Sequence, residues 1–133
     1  MYVVNLQAEH LFQALADPTR IRIVRLLAVT GEEACLCELV DSLLEPQYKL
    51  SRHVKILRQA GLLSAEKEGR WVYHRLVTGA GHLKHLYDMA CALPDANGLF
   101  AGDLDRFEKR KELRVGGRCR VGIQNPELAT QPN

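Results

Sequence analysis

Residues 49–76 read KLSRHVKILRQAGLLSAEKEGRWVYHRL, and a change of period inside them decides the fold. Leu50, Val54, Leu57 and Ala60 recur about one turn apart, an apolar stripe that predicts a helix. Lys49, Arg52, His53, Lys55 and Arg58 occupy its other face. Gly61 suits a helix end, because glycine enters the left-handed backbone region without steric cost. Beyond it, Trp71, Val72, Tyr73 and Leu76 suit a short strand, with Lys67-Glu68-Gly69-Arg70 as a tight turn before it. A helix with a cationic outer face followed by a basic-tipped hairpin predicts a winged helix-turn-helix, mainly α with a small β-hairpin. Charge points the same way. From Lys49 to Arg75, seven Lys/Arg against two Glu leave +5, whereas the whole chain carries +2. Concentrated positive charge is what a polyanion-binding surface requires.

Upstream, Pro46 separates this helix from a short third helix predicted over Ala34–Leu44. Glu32, Glu33, Glu38, Asp41 and Glu45 place −5 within fourteen residues around it. An acidic shoulder therefore precedes the basic reading head. Asp17-Pro18 is a helix start, with Asp17 as N-cap and Pro18 at the first helical position. The second helix runs from Pro18 to about Val29 and buries Ile21, Val24, Leu27 and Ala28, with Arg20, Arg22 and Arg25 expected at its surface. Asn5–Ala16 forms a first helix with Leu6, Leu11, Phe12 and Leu15 on its apolar side. Downstream, His82–Leu93 forms a fifth helix whose stripe is wide enough to pack the first helix and a second copy of the chain. Asp103–Leu113 reads as a short polar helix. Arg114–Asn133, with Gly116-Gly117 and two prolines, reads as a mobile tail. The chain thus divides into a DNA-binding and dimerisation unit at 1–93 and a C-terminal extension at 94–133, partly helical or flexible.

A length of 133 residues with 47% hydrophobic content suits one small domain. A core this size makes a homodimer sharing an apolar face the expected state. No apolar run approaches the ~20 residues of a spanning helix, and no secretory signal pattern opens the chain. A cytoplasmic protein without membrane contact is expected. In that compartment four Cys point to metal or redox chemistry rather than structural disulfides. No Gly-rich phosphate loop and no recognisable nucleophile–base–acid set is present, so no enzyme is expected.

Four blocks, ADPTRIRIVRLL (16–27), ACLCELVDSL (34–43), LSRHVKILRQAGLL (50–63) and EGRWVYHRL (68–76), together resemble the ArsR/SmtB family of metal-sensing repressors. The resemblance covers about Leu6 to Leu93, with the blocks in the family's order. It implies a homodimeric winged-helix repressor, joined through its first and fifth helices, that holds double-stranded operator DNA and releases it when a metal or metalloid ion binds. Gln47, Lys49, Ser51, Arg52 and His53 match the family's DNA-facing positions. Lys55 is expected near phosphate, and Arg70, at the wing tip, near the backbone or the neighbouring minor groove.

Cys35-Leu36-Cys37 resembles the cysteine pair of the family's arsenic-sensing branch. As(III) and Sb(III) are soft and prefer thiolates, so either is the implied inducer; no cofactor is expected for folding. The residue three after Cys37 is Val40, where a third Cys commonly stands in that branch. The third thiol is then Cys119, Cys91, a small-molecule thiol or none; a two-thiolate site would suit an organoarsenical. Two residues apart in a regular helix point about 200° from each other. Gripping one ion is therefore expected to distort the start of the third helix and shift the fourth. Cys35, near a helix N-terminus, is expected to have a lowered pKa. The alternatives are a Cd, Pb or Zn sensor, which needs four ligands that the arm at 1–6 does not supplement, or a thiol-redox sensor using Cys35 and Cys37. His82-x-x-His85 reads as two surface histidines rather than a zinc site.

Overall fold

The computed structural model describes residues 7–129. Asn5 and Leu6, expected at the start of the first helix, lie outside the described residues. Helix α1 is Gln7–Leu15 and α2 is Pro18–Thr30. The break between them is the Asp17 cap: its carboxylate accepts from the Thr19 and Arg20 amides at 2.8 and 3.2 Å. This satisfies two N–H groups with no intrahelical partner, a stabilisation of about 1 kcal/mol.

Strand β1, Ala34–Cys35, precedes a helix α3 that spans Leu36–Leu43. The third helix therefore starts two residues later than its sequence suggests. The cause is pairing: Ala34 and Cys35 form a ladder with His74 and Tyr73. Helix α4 is Gln47–Gln59, and Leu50, Val54 and Leu57 are buried along it as the stripe predicts. Each such side chain removed from water stabilises by about 1.5–3 kcal/mol. Gly61 follows at φ +82°. The wing is β2, Leu63–Glu68, antiparallel to β3, Trp71–Leu76, closed by Gly69-Arg70 with Gly69 at φ +63°. The expected hairpin is thus the larger part of a three-stranded sheet in the order β1-β3-β2.

Helix α5, Gly81–Ala92, packs on α2 through Leu83, Tyr87 and Ala90, and the Tyr87 hydroxyl donates to the Val77 carbonyl at 2.6 Å. Phe12 and Met89, on α1 and α5, stay 66% and 64% exposed. His82 and His85 are both exposed.

The C-terminal extension contains α6, Leu99–Lys111, which packs on α3 and α2 and puts Phe107 in the main core. Arg22 is not a surface arginine: it forms a buried two-pronged pair with Asp103 of α6, Nε–Oδ2 2.9 Å and Nη2–Oδ1 2.7 Å. The rest of 112–129 is not a free tail but an irregular strap ending in α7, Pro126–Ala129. It is held by arginines seated on the acidic shoulder. Arg110 reaches Asp41 at 2.6 Å, Arg114 reaches Glu38 at 2.7 and 3.0 Å, and Arg118 pairs with both Glu33 and Glu68. Among the described residues no helix is long and apolar enough to cross a membrane.

Candidate functional site

Cys35 ends β1 in an extended conformation, φ −76° and ψ 159°, and is the N-cap residue of α3. Its amide donates to the Glu38 carboxylate at 3.0 Å. Cys37 lies in the first helical turn. Because one cysteine precedes the helix and the other lies inside it, the 200° divergence of a regular helix does not apply. The two sulfurs already converge without unwinding, which removes the expected distortion of α3.

The third sulfur belongs to the strap. Cys119 is fully buried, and its Sγ is 3.5 Å from that of Cys37. The sulfurs of Cys35, Cys37 and Cys119 all lie within 4.8 Å of one another. Cys91 is elsewhere, half-buried on α5, where its carbonyl faces Arg25. Tyr73 holds Cys119 in place: its hydroxyl accepts from the Cys119 amide at 2.9 Å, and the Arg118 guanidinium lies 3.8 Å over its ring. Glu38, wholly buried, is paired with Arg114 and so ties the strap to the first turn of α3. Sequence reasoning passed over Tyr73, Glu38, Arg114 and Arg118. A signal for the last two was present: Arg106, Arg110, Arg114 and Arg118 recur every four residues, opposite in sign to the run at 32–45.

The thiols differ in acidity. Cys37 is lowered to about 7, because Cys35 hydrogen-bonds to its sulfur, with burial acting against it. Cys35 is correspondingly raised, by holding the proton it shares with Cys37 and by burial. Cys119 is raised, chiefly by burial. The expected acidic thiol at Cys35 is therefore corrected to Cys37: proximity to the helix N-terminus is shared by both, and the direction of the shared proton decides between them. One thiolate beside two protonated thiols is a set that a thiophilic ion can enter, releasing protons as it binds.

Cys35 and Cys37 also line an open cleft of about 390 Å³ between α4 and the wing. Gln47, Ser51 and Arg58 form one wall, and Arg70, Trp71 and His74 the other. His74 is 4% exposed and, among the described residues, its Nδ1 has no hydrogen-bond partner. Burial, reinforced by Arg58, depresses it to about 4. The folded state thus favours the neutral ring, so this stabilisation is complete above pH ~6.5 and is lost as pH falls toward the folded value. An NMR titration of the His74 ring is expected to show its midpoint near 4; a midpoint near 6.5 would mean that the ring is solvated.

On the basic face, Ser51, Arg52, Lys55 and Arg70 are exposed. Gln47 is half-buried, and Lys49 is half-buried and paired with Glu45 at 3.1 Å. His53 turns toward α2, with Nδ1 3.1 Å from the Arg20 guanidinium. Arg70 stacks over Trp71 at 4.9 Å. Three cations and one hydroxyl are therefore open to solvent, and His53 is set apart from them.

Comparison with known proteins gives a consistent picture. A family model described as "Bacterial regulatory protein, arsR family" matches residues 17–65. An uncharacterized HTH-type transcriptional regulator of Methanocaldococcus jannaschii is 42% identical over 71 residues, 53% of this chain and 79% of that protein. The arsenical resistance operon repressor of Escherichia coli is 50% identical over 66 residues, half of this chain and 56% of the repressor. The transcriptional repressor SmtB of Mycobacterium tuberculosis is 44% identical over 79 residues, 59% of this chain and 56% of that protein. The matches to these two repressors thus span little more than half of their length. Among solved structures, HlyU from Vibrio cholerae superposes with a TM-score of 0.56 at 29% identity, over 62% of this chain and 86% of its own.

Proposed function

Because the chain belongs to the ArsR family of helix-turn-helix transcriptional regulators, we propose that it is a repressor that leaves its operator when arsenite or antimonite binds Cys35, Cys37 and Cys119. The observation that carries this reading is the convergence of three sulfurs on one point. Trivalent arsenic and antimony are thiophilic and take three sulfurs in a pyramid. Divalent Zn or Cd favours four ligands; among the described residues the metal-capable cluster at this point contains three. A relative named as a cadmium resistance regulator and the SmtB repressor keep that second reading in the test.

Two features couple the thiols to DNA. The cleft that Cys35 and Cys37 line is walled by Gln47, Ser51 and Arg70, residues proposed to face the operator with Lys49, Arg52 and Lys55. His53 is the weakest member of that set, since Arg20 already engages it. The strap that brings Cys119 also grips Glu68 at the wing through Arg118 and Arg120. An ion drawing the sulfurs together pulls on the strap and hence on the wing, without unwinding α3. The exposed Phe12 and Met89 support a homodimer through α1 and α5. Cationic side chains on the outer face supply phosphate attraction, and Arg52 suits guanine edges.

The test uses a duplex recovered by selection from random DNA and follows binding by fluorescence anisotropy. Arsenite or antimonite is expected to release the wild-type protein, and Cys37→Ser is expected to stay bound. Release by cadmium or zinc alone would replace this reading with the second one.

A further inference from the structure

The three thiols differ in how far solvent can reach them. Cys37 is partly exposed and lines the open cleft, whereas Cys119 is fully enclosed behind it at 3.5 Å. The Cys35–Cys37 pair is separated by one residue, so a bridge between them is strained. Cys37 and Cys119 instead sit on separate segments, α3 and the strap, 82 positions apart. Cys119 has glycines on both sides, at 116, 117 and 122, and the first two already have φ of +60° and +77°. The strap is therefore built of residues that can absorb the small approach a sulfur–sulfur bond needs. Its backbone is meanwhile anchored by Tyr73, Arg114 and Arg118.

We propose that Cys37 and Cys119 form a reversible disulfide when the protein meets a hydroperoxide, with Cys37 as the attacked thiol and Cys119 as the resolving one. The Cys37 thiolate attacks one peroxide oxygen. An S–O bond forms, the O–O bond breaks, and the departing oxygen takes a proton to leave as water or an alcohol. Cys119 then attacks the sulfenic sulfur; the S–S bond forms and the S–O bond breaks. The expelled hydroxide takes the Cys119 proton and leaves as a second water. Two thiols lose two electrons in total and the peroxide gains them. Cys35, held in β1 by pairing with Tyr73 of β3, and Cys91, remote on α5, keep their thiols. The consequence for induction rests on the reading above: the bridge removes two of the three sulfurs, so the oxidised protein ignores arsenite until a thiol or phosphine reduces it.

The experiment treats the full reduced chain, with chelator present, with one equivalent of hydrogen peroxide, alkylates the remaining thiols and digests it for mass mapping. The expected result is a cross-linked peptide pair containing Cys37 and Cys119, with Cys35 and Cys91 alkylated. In Cys119→Ser the cross-link is expected to vanish, and a dimedone adduct to appear at Cys37. Survival of all four thiols, a Cys35–Cys37 bridge, or a bridge through Cys91 overturns the proposal from the wild-type map alone, whatever the variant's stability. The map involves no metalloid, so it stands apart from the inducer reading. A correctly bridged protein that still released DNA with arsenite would count against the three-thiol inducer site and not against the bridge.

Discussion

Cys119→Ser is expected to require more than about 100-fold more arsenite for half-release of operator DNA, whereas Cys91→Ser responds as the wild type does. The magnitude follows from ligand chemistry: losing an outer-shell partner alone costs 10–100-fold in metal affinity, and losing a direct ligand costs more. The contrast between the two cysteines is geometric, since only Cys119 stands with Cys35 and Cys37. Operator affinity without arsenite is expected to stay within a few-fold, because serine keeps the strap's size and the Tyr73 bond is to backbone. Anisotropy titrations on both variants give the answer. Equal arsenite sensitivity in Cys119→Ser and wild type would take the strap out of the inducer site.

Asp103→Ala is expected to destabilise the fold by about 3–5 kcal/mol, the usual result of removing one partner from a buried ion pair. Asp103 holds Arg22 with two bonds and Arg106 with a third at 3.0 Å, and its side chain is 2% exposed. The Asp103 bonds also hold the Arg22 guanidinium above its ordinary pKa. After truncation Arg22 keeps the Leu43 carbonyl at 2.7 Å and a distant Glu45 at 3.6 Å, too little to offset its desolvation. Urea unfolding monitored by circular dichroism measures the change. Replacing both partners with apolar residues, Arg22→Met with Asp103→Leu, should recover most of the loss, because no charge is then left buried. A loss below about 1 kcal/mol in the single variant would mean that α6 contributes little to the core.

The reading head was legible because its signals are local. The Leu50–Val54–Leu57 stripe and Gly61 each specify backbone within a few residues and appear where periodicity puts them, while the turn read at Lys67-Glu68-Gly69-Arg70 narrows to Gly69-Arg70, with Lys67 and Glu68 already paired in β2. The start of α3 was not legible. Ala34 and Cys35 are drawn into a ladder by residues about forty positions away, and no local pattern announces that. The misplaced boundary had a chemical cost, since it turned two convergent sulfurs into two divergent ones. The strap was misread for a related reason. Glycines at 116 and 117 and the polar composition suggest mobility, but the arginine ladder has a charge-matched partner far upstream. Composition alone measures how a segment behaves by itself, not what it lands on. Arg22 misled in the same way: on a helix already rich in arginine it reads as solvated, and only the position of Asp103 buries it.

The arginines at 110, 114 and 118 carry one more implication. Five carboxylates at 32–45 stand immediately before α4, the helix proposed to lie against the operator, and bare they would push a phosphodiester polymer away. By pairing with Asp41, Glu32, Glu33 and Glu38, these three guanidiniums set +3 against the −5 of that flank and so offset much of its repulsion. On the proposed function, such screening would ease the approach of duplex DNA without any of these three guanidiniums touching it.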